Sequence, residues 1–294
     1  MKEIADSIQR VGLFANPEKP RIAAVVRRAR VYLTEMGRSV CCDPATAALV
    51  GSEIETSLDV VSLADCCDLI LVFGGDGTML RIARQVAGRS VAILGVNAGH
   101  LGFLTTIKAG ELTQGLAGIL RGEFEIEERV LLEATINQSG TQTTQTALND
   151  FVLSRGAASR LIEVEVEVNG ELLTRYRCDG LIASSPTGST AYSLAAGGAI
   201  VSPDAEVLTL TPICPHTLSI RPVVVSLNAV VKVTLLSLRQ VAIVAADGHQ
   251  QTNLTGGDTL IIRRSSKTVR LLRPFETTFF STLRAKFGWN GSNL

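Results

Sequence analysis

Residues 74–78 read Gly74-Gly75-Asp76-Gly77-Thr78, and they stand between two apolar segments of different periodicity. The preceding residues 68–73 (Asp-Leu-Ile-Leu-Val-Phe) form a short apolar run that is typical of a buried strand. After the glycines, apolar residues recur at helical spacing from Met79 to Val86. The sequence therefore predicts a strand-to-helix turn with an acidic residue among three glycines.

Asp76 has two interpretations at this turn. Glycines let the backbone approach a ligand closely, and free N–H groups at the start of a helix attract phosphate. A carboxylate would repel phosphate, so it is better explained as a base that takes a proton from a hydroxyl about to attack a phosphoryl group. The alternative is a tight turn in which Asp76 caps the helix, and the pentapeptide alone leaves both open.

Length and composition narrow the class of protein. The chain has 294 residues with 46% hydrophobic content and a formal net charge of zero. The length suits two domains, and the charge balance gives no sign of a nucleic-acid or membrane partner. No apolar run approaches the ~20 residues of a membrane helix, and the first residues lack the apolar core of a signal peptide.

The six cysteines include two adjacent pairs, Cys41-Cys42 and Cys66-Cys67. Neighbouring cysteines rarely bridge each other, and no Cys-x-x-Cys or Cys/His metal spacing is present. We interpret them as reduced, mostly buried thiols, which predicts a cytoplasmic protein.

Strands and helices alternate in the first part of the chain. Further strands are predicted at 11–15, 39–42 and 91–96, and helices at 22–36, 45–49 and 108–121. Strand 91–96 leads into a glycine-rich loop that contains His100, and open α/β sheets bind ligands at such strand ends. The alternation predicts an α/β domain with a mostly parallel sheet over residues 1–125.

From about Phe124 the pattern changes to short, β-branched runs separated by turns. Residues 162–168 (Ile-Glu-Val-Glu-Val-Glu-Val) alternate strictly, which predicts one buried face and one face of carboxylates. Asn169-Gly170 then predicts a hairpin turn. These patterns predict an all-β domain over residues 126–274.

Small hydroxyl residues and glycines are concentrated in residues 179–198. Hydroxyls and glycine amides at one site suit a ribose or a phosphate, and a helix beginning near Ser189 is expected to direct its N-terminus at a ligand. The alternative is a serine-rich turn capped into a helix.

The pair Asn149-Asp150 also has two interpretations. An amide beside a carboxylate can bind both the donors and the acceptors of a nucleotide, or the two residues are a polar pair at the start of a strand. Asp247-Gly248-His249 is interpreted first as a β-turn.

Five segments, taken together and in this order, resemble the signature motifs of the bacterial NAD kinase family. They are residues 74–78, 99–104, 149–150, 179–198 and 211–216 with Arg221-Pro222. The resemblance implies an NAD kinase-like two-domain fold with the active site between the domains and residues 275–294 returning to the first domain. It implies ATP-dependent phosphorylation of the 2′-hydroxyl of the adenosine ribose of NAD to give NADP.

The resemblance also implies ligands and assembly. NAD and ATP are the expected partners, within a homodimer or homotetramer. Mg²⁺ or another divalent cation is expected on the ATP phosphates, held by substrate oxygens and waters with no protein ligand assigned.

Residue roles follow from the same resemblance. Asp76 is the expected general base, Gly77 its neighbouring contact, and Arg81 is expected to stabilise the transferring charge. The positions expected to contact NAD are Asn149, Asp150, Arg160, Arg177, Asp179, Thr190, Ala191, Tyr192, Ser193, Leu194, Ala195 and His249. The chain departs from the family at His249, where glutamine is frequent, and at Asp150, where glutamate is common and reaches further.

Two alternative functions remain. A diacylglycerol or sugar kinase carries a similar glycine-aspartate turn but lacks the 179–198 motif. A non-catalytic NADP(H)-sensing module would bind dinucleotide without consuming ATP. P-loop kinases and dehydrogenases are disfavoured, because neither Gly-x-x-x-x-Gly-Lys-Ser/Thr nor Gly-x-Gly-x-x-Gly at a strand–helix junction is present.

Overall fold

The chain forms two compact units, residues 1–128 with 269–294 and residues 129–268. The computed structural model describes residues 2–18, 22–51, 54–56, 59–97, 99, 102–138, 140–156, 160–238 and 240–289. The sequence predicts boundaries at 125/126 and 274/275, whereas the two compact units divide at 128/129 and 268/269. They differ because the strands Phe124–Gln138 and Thr259–Pro274 each continue across a change of unit.

The first unit alternates strands and helices. Its strands are β1 (Arg10–Ala15), β2 (Ser39–Cys42), β3 (Glu55–Thr56), β4 (Leu69–Phe73), β5 (Ala92–Asn97) and β6 (Thr105–Lys108). Its helices are α1 (Lys2–Ser7), α2 (Ala23–Glu35), α3 (Pro44–Val50), α4 (Val60–Cys66), α5 (Asp76–Val86), α6 (Leu112–Leu120) and α8 (Phe279–Phe287). The strands pair in parallel in the order β3-β2-β1-β4-β5, which confirms the predicted α/β class with its mostly parallel sheet.

Strand β5 has partners on both sides. It pairs with β4 along its length, and on its other side it pairs with β6 and with Arg270 and Leu271 of the strand Thr259–Pro274. Strand β4 is apolar and buried at every position, as expected for a parallel sheet covered on both faces.

The helix predicted over 108–121 begins later than expected. Residues up to Lys108 belong to β6, because Lys108 pairs with Asn97 of β5. A short 3-10 helix follows at Ala109–Glu111, and α6 starts at Leu112. The prediction depended on the apolar periodicity of α6. That periodicity does not show where the pairing of β6 with β5 ends.

The second unit is built almost entirely from antiparallel strands. They are β7 (Phe124–Gln138), β8 (Thr141–Ala147), β9 (Asp150–Ser154), β10 (Ile162–Val168), β11 (Glu171–Cys178), β12 (Gly180–Ser184), β13 (Val207–Ile213), β14 (Val223–Ser226), β15 (Val231–Leu235), β16 (Ala242–Ala246), β17 (His249–Leu254) and β18 (Thr259–Pro274). One sheet has the order β14-β13-β12-β9-β16-β17, and another part pairs β11-β10-β15 with the first residues of β18. The all-β prediction is confirmed.

The β10–β11 hairpin forms as the alternating sequence predicts. Ile162, Val164 and Val166 are buried, and Val168 pairs with Glu171 across the turn. Asn169 and Gly170 have φ of 53° and 83°, which the two central residues of such a turn require. Two carboxylates of the other face pair with cations: Glu165 with Arg175 at 2.7 Å and Glu167 with Lys232 at 2.9 Å.

Each unit has its own hydrophobic core. Among the described helices, none is long and apolar enough to cross a membrane.

Leu71 lies at the centre of β4 and is fully buried. We expect Leu71→Ala to lower the free energy of unfolding by roughly 2–5 kcal/mol, because the substitution leaves a cavity between sheet and helices. Urea denaturation measures this change. Leu172→Ala is the matched control, since Leu172 is 56% exposed and should change stability by less than ~0.5 kcal/mol. Equal losses for the two variants would contradict the assigned core.

Candidate active site

The carboxylate of Asp76 is held by the loop that follows β5. Oδ2 accepts a hydrogen bond from the Phe103 N–H at 2.8 Å, and Oδ1 accepts from the N–H groups of Leu104 and Thr105 at 3.2 Å each. Asp76 is the first residue of α5, and the N-cap position before it is Gly75. The side chain is thus bound to another loop and does not cap its own helix.

The pairing of β4 with β5 places these two loops together. Phe73 lies opposite Val96, and the Gly74 N–H donates to the Val96 carbonyl at 3.0 Å. Because carboxyl ends of adjacent parallel strands meet at one sheet edge, the turn after β4 contacts the loop after β5. In that loop, His100 and Leu101 lie outside the described residues.

Two glycines around Asp76 are required by close packing. A Cβ on Gly102 would lie 1.8 Å from Asp76 Oδ1, and a Cβ on Gly74 would lie 2.4 Å from Thr78 Oγ1. Gly77 differs, because it is exposed and a Cβ there would meet no described atom within 4 Å. Space beside Gly77 therefore remains open to a ligand.

Phe103, which donates to Asp76, is packed against the C-terminal helix. Its ring centroid lies 6.1 Å from that of Phe279 and 6.4 Å from that of Phe287, both on α8. Lys286 lies over the same ring, with its Nζ 5.2 Å from the centroid. The last helix of the chain thus supports the loop that orients Asp76.

Arg81, predicted to stabilise the transferring charge, is exposed on α5. Its guanidinium carbon lies 5.1 Å from the centroid of the Phe14 ring. Such an exposed cation–π contact contributes only ~0.5–1 kcal/mol, so the guanidinium is available to a stronger anionic partner.

In the second unit, Asp247 organises the turn that carries the Asn149-Asp150 pair. Its carboxylate accepts from the N–H groups of Leu148, Asn149 and Asp150 at 3.0, 2.7 and 3.2 Å. Its own N–H donates to the Asp150 carbonyl at 3.0 Å. Sequence reasoning interpreted Asp247-Gly248-His249 as a β-turn, which is confirmed, but missed the role of Asp247 in the site.

Asp150 is a buried carboxyl group without a donor in the described residues. It is 4% exposed, and no hydrogen bond to its side-chain oxygens forms there. Burial, with a smaller contribution from the charge of Asp247, raises the pKa of Asp150 to about 7. A ligand hydroxyl that donates to Asp150 would supply the missing partner.

The hydroxyl-rich segment packs directly on this pair. Asp150 lies opposite Ser184 in the β9–β12 pairing, and the Asn149 carbonyl accepts from the Ser185 N–H at 2.8 Å. A Cβ on Gly188 would lie 2.2 Å from that same carbonyl oxygen, so only glycine fits there. The structure therefore brings residues 149–150 and 184–188 of the two motifs together within the second unit.

The helix predicted to begin near Ser189 is short. The segment forms a 3-10 helix at Thr187–Thr190 and a four-residue helix, α7 (Tyr192–Ala195). It ends there because Gly197 has a φ of 90° and the Gly198 N–H donates to the Ser193 carbonyl at 2.8 Å. A helix this short does not provide an N-terminal anion site.

Side chains in this segment are unequally accessible. The Ser193 hydroxyl is fully buried and lies 2.9 Å from Thr211 Oγ1, so it contributes to internal packing. Tyr192 is 47% exposed, and Ala195 is also exposed. The half-buried positions are Thr190, Ala191 and Leu194.

The remaining predicted contacts lie on strands and turns of the second unit. Asp179 accepts a hydrogen bond from Arg155 Nε at 2.6 Å, a partner that sequence reasoning did not identify. The exposed side chains of Arg160, Arg177 and His249 make no hydrogen bond or ion pair in the part of the chain that the structure describes.

Both parts of the chain match known protein families. Models of the ATP-NAD kinase N-terminal and C-terminal domains match residues 11–124 and 148–274. The NAD kinase of Syntrophotalea carbinolica is 42% identical over 283 residues, which cover 96% of this chain and 99% of that protein.

Two solved structures share the fold. Yeast NADH kinase complexed with NADH has a TM-score of 0.88 and 25% identity, covering 98% of this chain and 89% of that one. An NAD kinase from Archaeoglobus fulgidus in complex with ATP has a TM-score of 0.72 and 26% identity. The match covers 95% of this chain and 97% of that one. None of these comparisons favours a lipid or sugar kinase or a non-catalytic sensor. The chain belongs to the ATP-NAD kinase family.

Proposed function

We propose that this chain transfers the γ-phosphoryl group of ATP to the 2′-hydroxyl of the adenosine ribose of NAD, giving NADP, and that Asp76 is the general base. NAD kinase activity accords with the family and with relatives named for it. The observation that carries the residue assignment is the fixed carboxylate of Asp76 beside the open space at Gly77.

The chemical step is a direct displacement. Asp76 takes the proton of the ribose hydroxyl while the hydroxyl oxygen bonds to the γ-phosphorus, and the bond from phosphorus to the β–γ bridging oxygen breaks to release ADP. Three backbone N–H groups fix the orientation of the carboxylate before substrate arrives, so little reorganisation is needed during proton transfer.

NAD recognition is assigned to the second unit. Asp150, a buried acceptor lacking a donor in the described residues, is proposed to accept a hydroxyl of the dinucleotide. Asn149 precedes Asp150 and offers an amide. Asp179 lies at the other end of the β9–β12 pairing, where it accepts from Arg155, and it is proposed as a peripheral contact together with Arg160, Arg177 and His249. The surface of residues 190–195 is proposed to contact the dinucleotide through Tyr192 and backbone groups, with Ser193 supporting that surface from beneath.

A divalent cation is part of the proposal. Mg²⁺ prefers oxygen ligands and is commonly held by substrate phosphates, waters and one or two carboxylates. Asp76 Oδ2 accepts one N–H group and keeps a lone pair for the ribose proton, so no ligand from this chain is assigned to a Mg²⁺ ion that would be carried on the ATP phosphates. When bound, the ion would neutralise phosphate charge.

Location and assembly are proposed as well. Adjacent cysteine pairs suit a reducing compartment and support a cytoplasmic location. Exposed apolar side chains in the second unit, such as Leu218 and Leu238, offer surface for a homodimer or homotetramer.

Asp76→Asn is expected to lower kcat by roughly 10²–10⁴-fold, because the amide cannot take the ribose proton. The assay supplies ATP, Mg²⁺ and NAD and detects NADP with an NADP-specific dehydrogenase. Asp65→Asn is the control, since that carboxylate is largely exposed in a surface ion pair. Wild-type turnover in a folded Asp76→Asn protein would refute the assignment, and dinucleotide binding without turnover in the wild type would identify a sensor.

Gly102→Ala is expected to lower kcat by ~10²-fold with little change in KM for NAD, because the new Cβ must displace the Asp76 carboxylate. Steady-state kinetics with the same coupled assay measure the effect. Gly110→Ala serves as the control, since a Cβ there meets no described atom within 4 Å. Equal kcat in the two variants would show that the position of Asp76 does not limit the rate.

NAD is expected to bind about tenfold more tightly at pH 8 than at pH 6, because only the ionised Asp150 accepts the ligand hydroxyl and its pKa is about 7. Below pH 7 the carboxyl group holds a proton that must leave first, so affinity is lost as pH falls. Titration calorimetry measures Kd across this range. The Asp150→Asn protein should show a flat profile, and an unchanged slope in that variant would contradict the role of Asp150.

A further inference from the structure

Three cysteine sulfurs meet in the first unit, apart from the residues assigned to phosphoryl transfer. The Sγ atoms of Cys41 and Cys67 lie 3.3 Å apart, and those of Cys66 and Cys67 lie 3.8 Å apart. All three atoms lie within 4.8 Å of one another. Three thiolates bound to one tetrahedral Zn²⁺ ion at ~2.3 Å are separated by ~3.8 Å. The cluster therefore has the dimensions of a three-sulfur metal site.

The parallel sheet assembles this cluster from two distant segments. Cys41 lies on β2 opposite Gly12 of β1, whereas Cys66 ends α4 and Cys67 follows it. A Cβ on Gly12 would lie 3.2 Å from the Cys67 sulfur, so the glycine leaves the space that this sulfur occupies. Because strand pairing creates the site, spacing along the sequence gave no metal pattern.

The surrounding charge and access suit a bound ion. Three thiolates and one divalent ion carry a net charge of −1, and the guanidinium of Arg10, which lies beside Cys41, offsets it. Arg10 also forms an ion pair with Glu55, so its charge is shared between that carboxylate and the cluster. Cys41 and Cys67 are buried while Cys66 is exposed, so an ion can reach the cluster from solvent at Cys66.

We propose that Cys41, Cys66 and Cys67 bind a thiophilic divalent ion such as Zn²⁺, with a solvent water as the fourth ligand. Binding converts three thiols to metal-bound thiolates and releases three protons. Sulfur ligands select zinc over magnesium, so this site is chemically distinct from the cation on ATP. The ion connects β2 to the end of α4 and stabilises the first unit against unfolding.

The experiment uses the purified full-length protein, reduced and freed of metal with a chelator. Titration with Co²⁺ should produce sulfur-to-metal charge-transfer and tetrahedral d–d absorbance that saturates at one ion per chain, and Zn²⁺ should displace it. Zn²⁺ should also raise Tm. Cys66→Ser should weaken binding at least ~10-fold, and its exposed position favours retention of the fold. Cys214→Ser, another exposed thiol outside the cluster, should leave binding unchanged.

Three results would overturn the proposal. One is the absence of a saturable sulfur-to-cobalt band in the wild type. Another is binding that Cys66→Ser leaves intact or that Cys214→Ser abolishes equally. The third is a Cys41–Cys67 disulfide that persists under the same reducing conditions, which would make these residues a redox pair.

Discussion

The parallel pairing of β4 with β5 is the constraint on which the candidate catalytic centre depends. It sets the turn that carries Asp76 beside the loop whose amides hold its carboxylate, at an edge where both strands end. The contact leaves no room for a side chain at Gly102. A carboxylate fixed by backbone donors differs from one fixed by side chains, because changing a side chain removes none of the three N–H donors. The position of the Asp76 carboxylate therefore depends on the strand pairing of the sheet.

A second carboxylate plays a comparable structural part in the other unit. Asp247 binds three consecutive N–H groups at residues 148–150 and so fixes the backbone of Asn149 and Asp150. Burial, with a smaller contribution from the charge of Asp247, raises the pKa of Asp150. Asp247 therefore fixes the backbone at Asp150 and contributes part of its electrostatic environment. The two units thus each hold a key carboxyl group by main-chain hydrogen bonding, directly at Asp76 and indirectly at Asp150.

Local patterns predicted much of this architecture, and long-range contacts account for what was missed. The β4 run, the Asp76 turn and the Asn169-Gly170 hairpin depend on residues near in sequence, so their signals were readable. The hydrogen bonds of Asp247 join residues nearly a hundred positions apart in the sequence, and no hydrophobic periodicity reveals such a contact. The short helix after Ser189 reflects close packing of Gly198, a tertiary effect that a serine-rich sequence does not show. The roles assigned to individual NAD contacts stay predictions.

The packing of Phe103 against α8 has a consequence for synthesis on the ribosome. Most of the first unit precedes the second in the sequence, yet Arg270 and Leu271 pair with its strand β5, and helix α8 packs against the loop that holds Asp76. The ribosome therefore synthesises residues 129–268 before it makes the later residues that belong to the first unit. A nascent chain exposes the β5 edge at Ala92 and Ile93 until Arg270 and Leu271 have been made. The order of synthesis thus delays the support of the Asp76 loop until helix α8 has been made, and shorter chains lack that support.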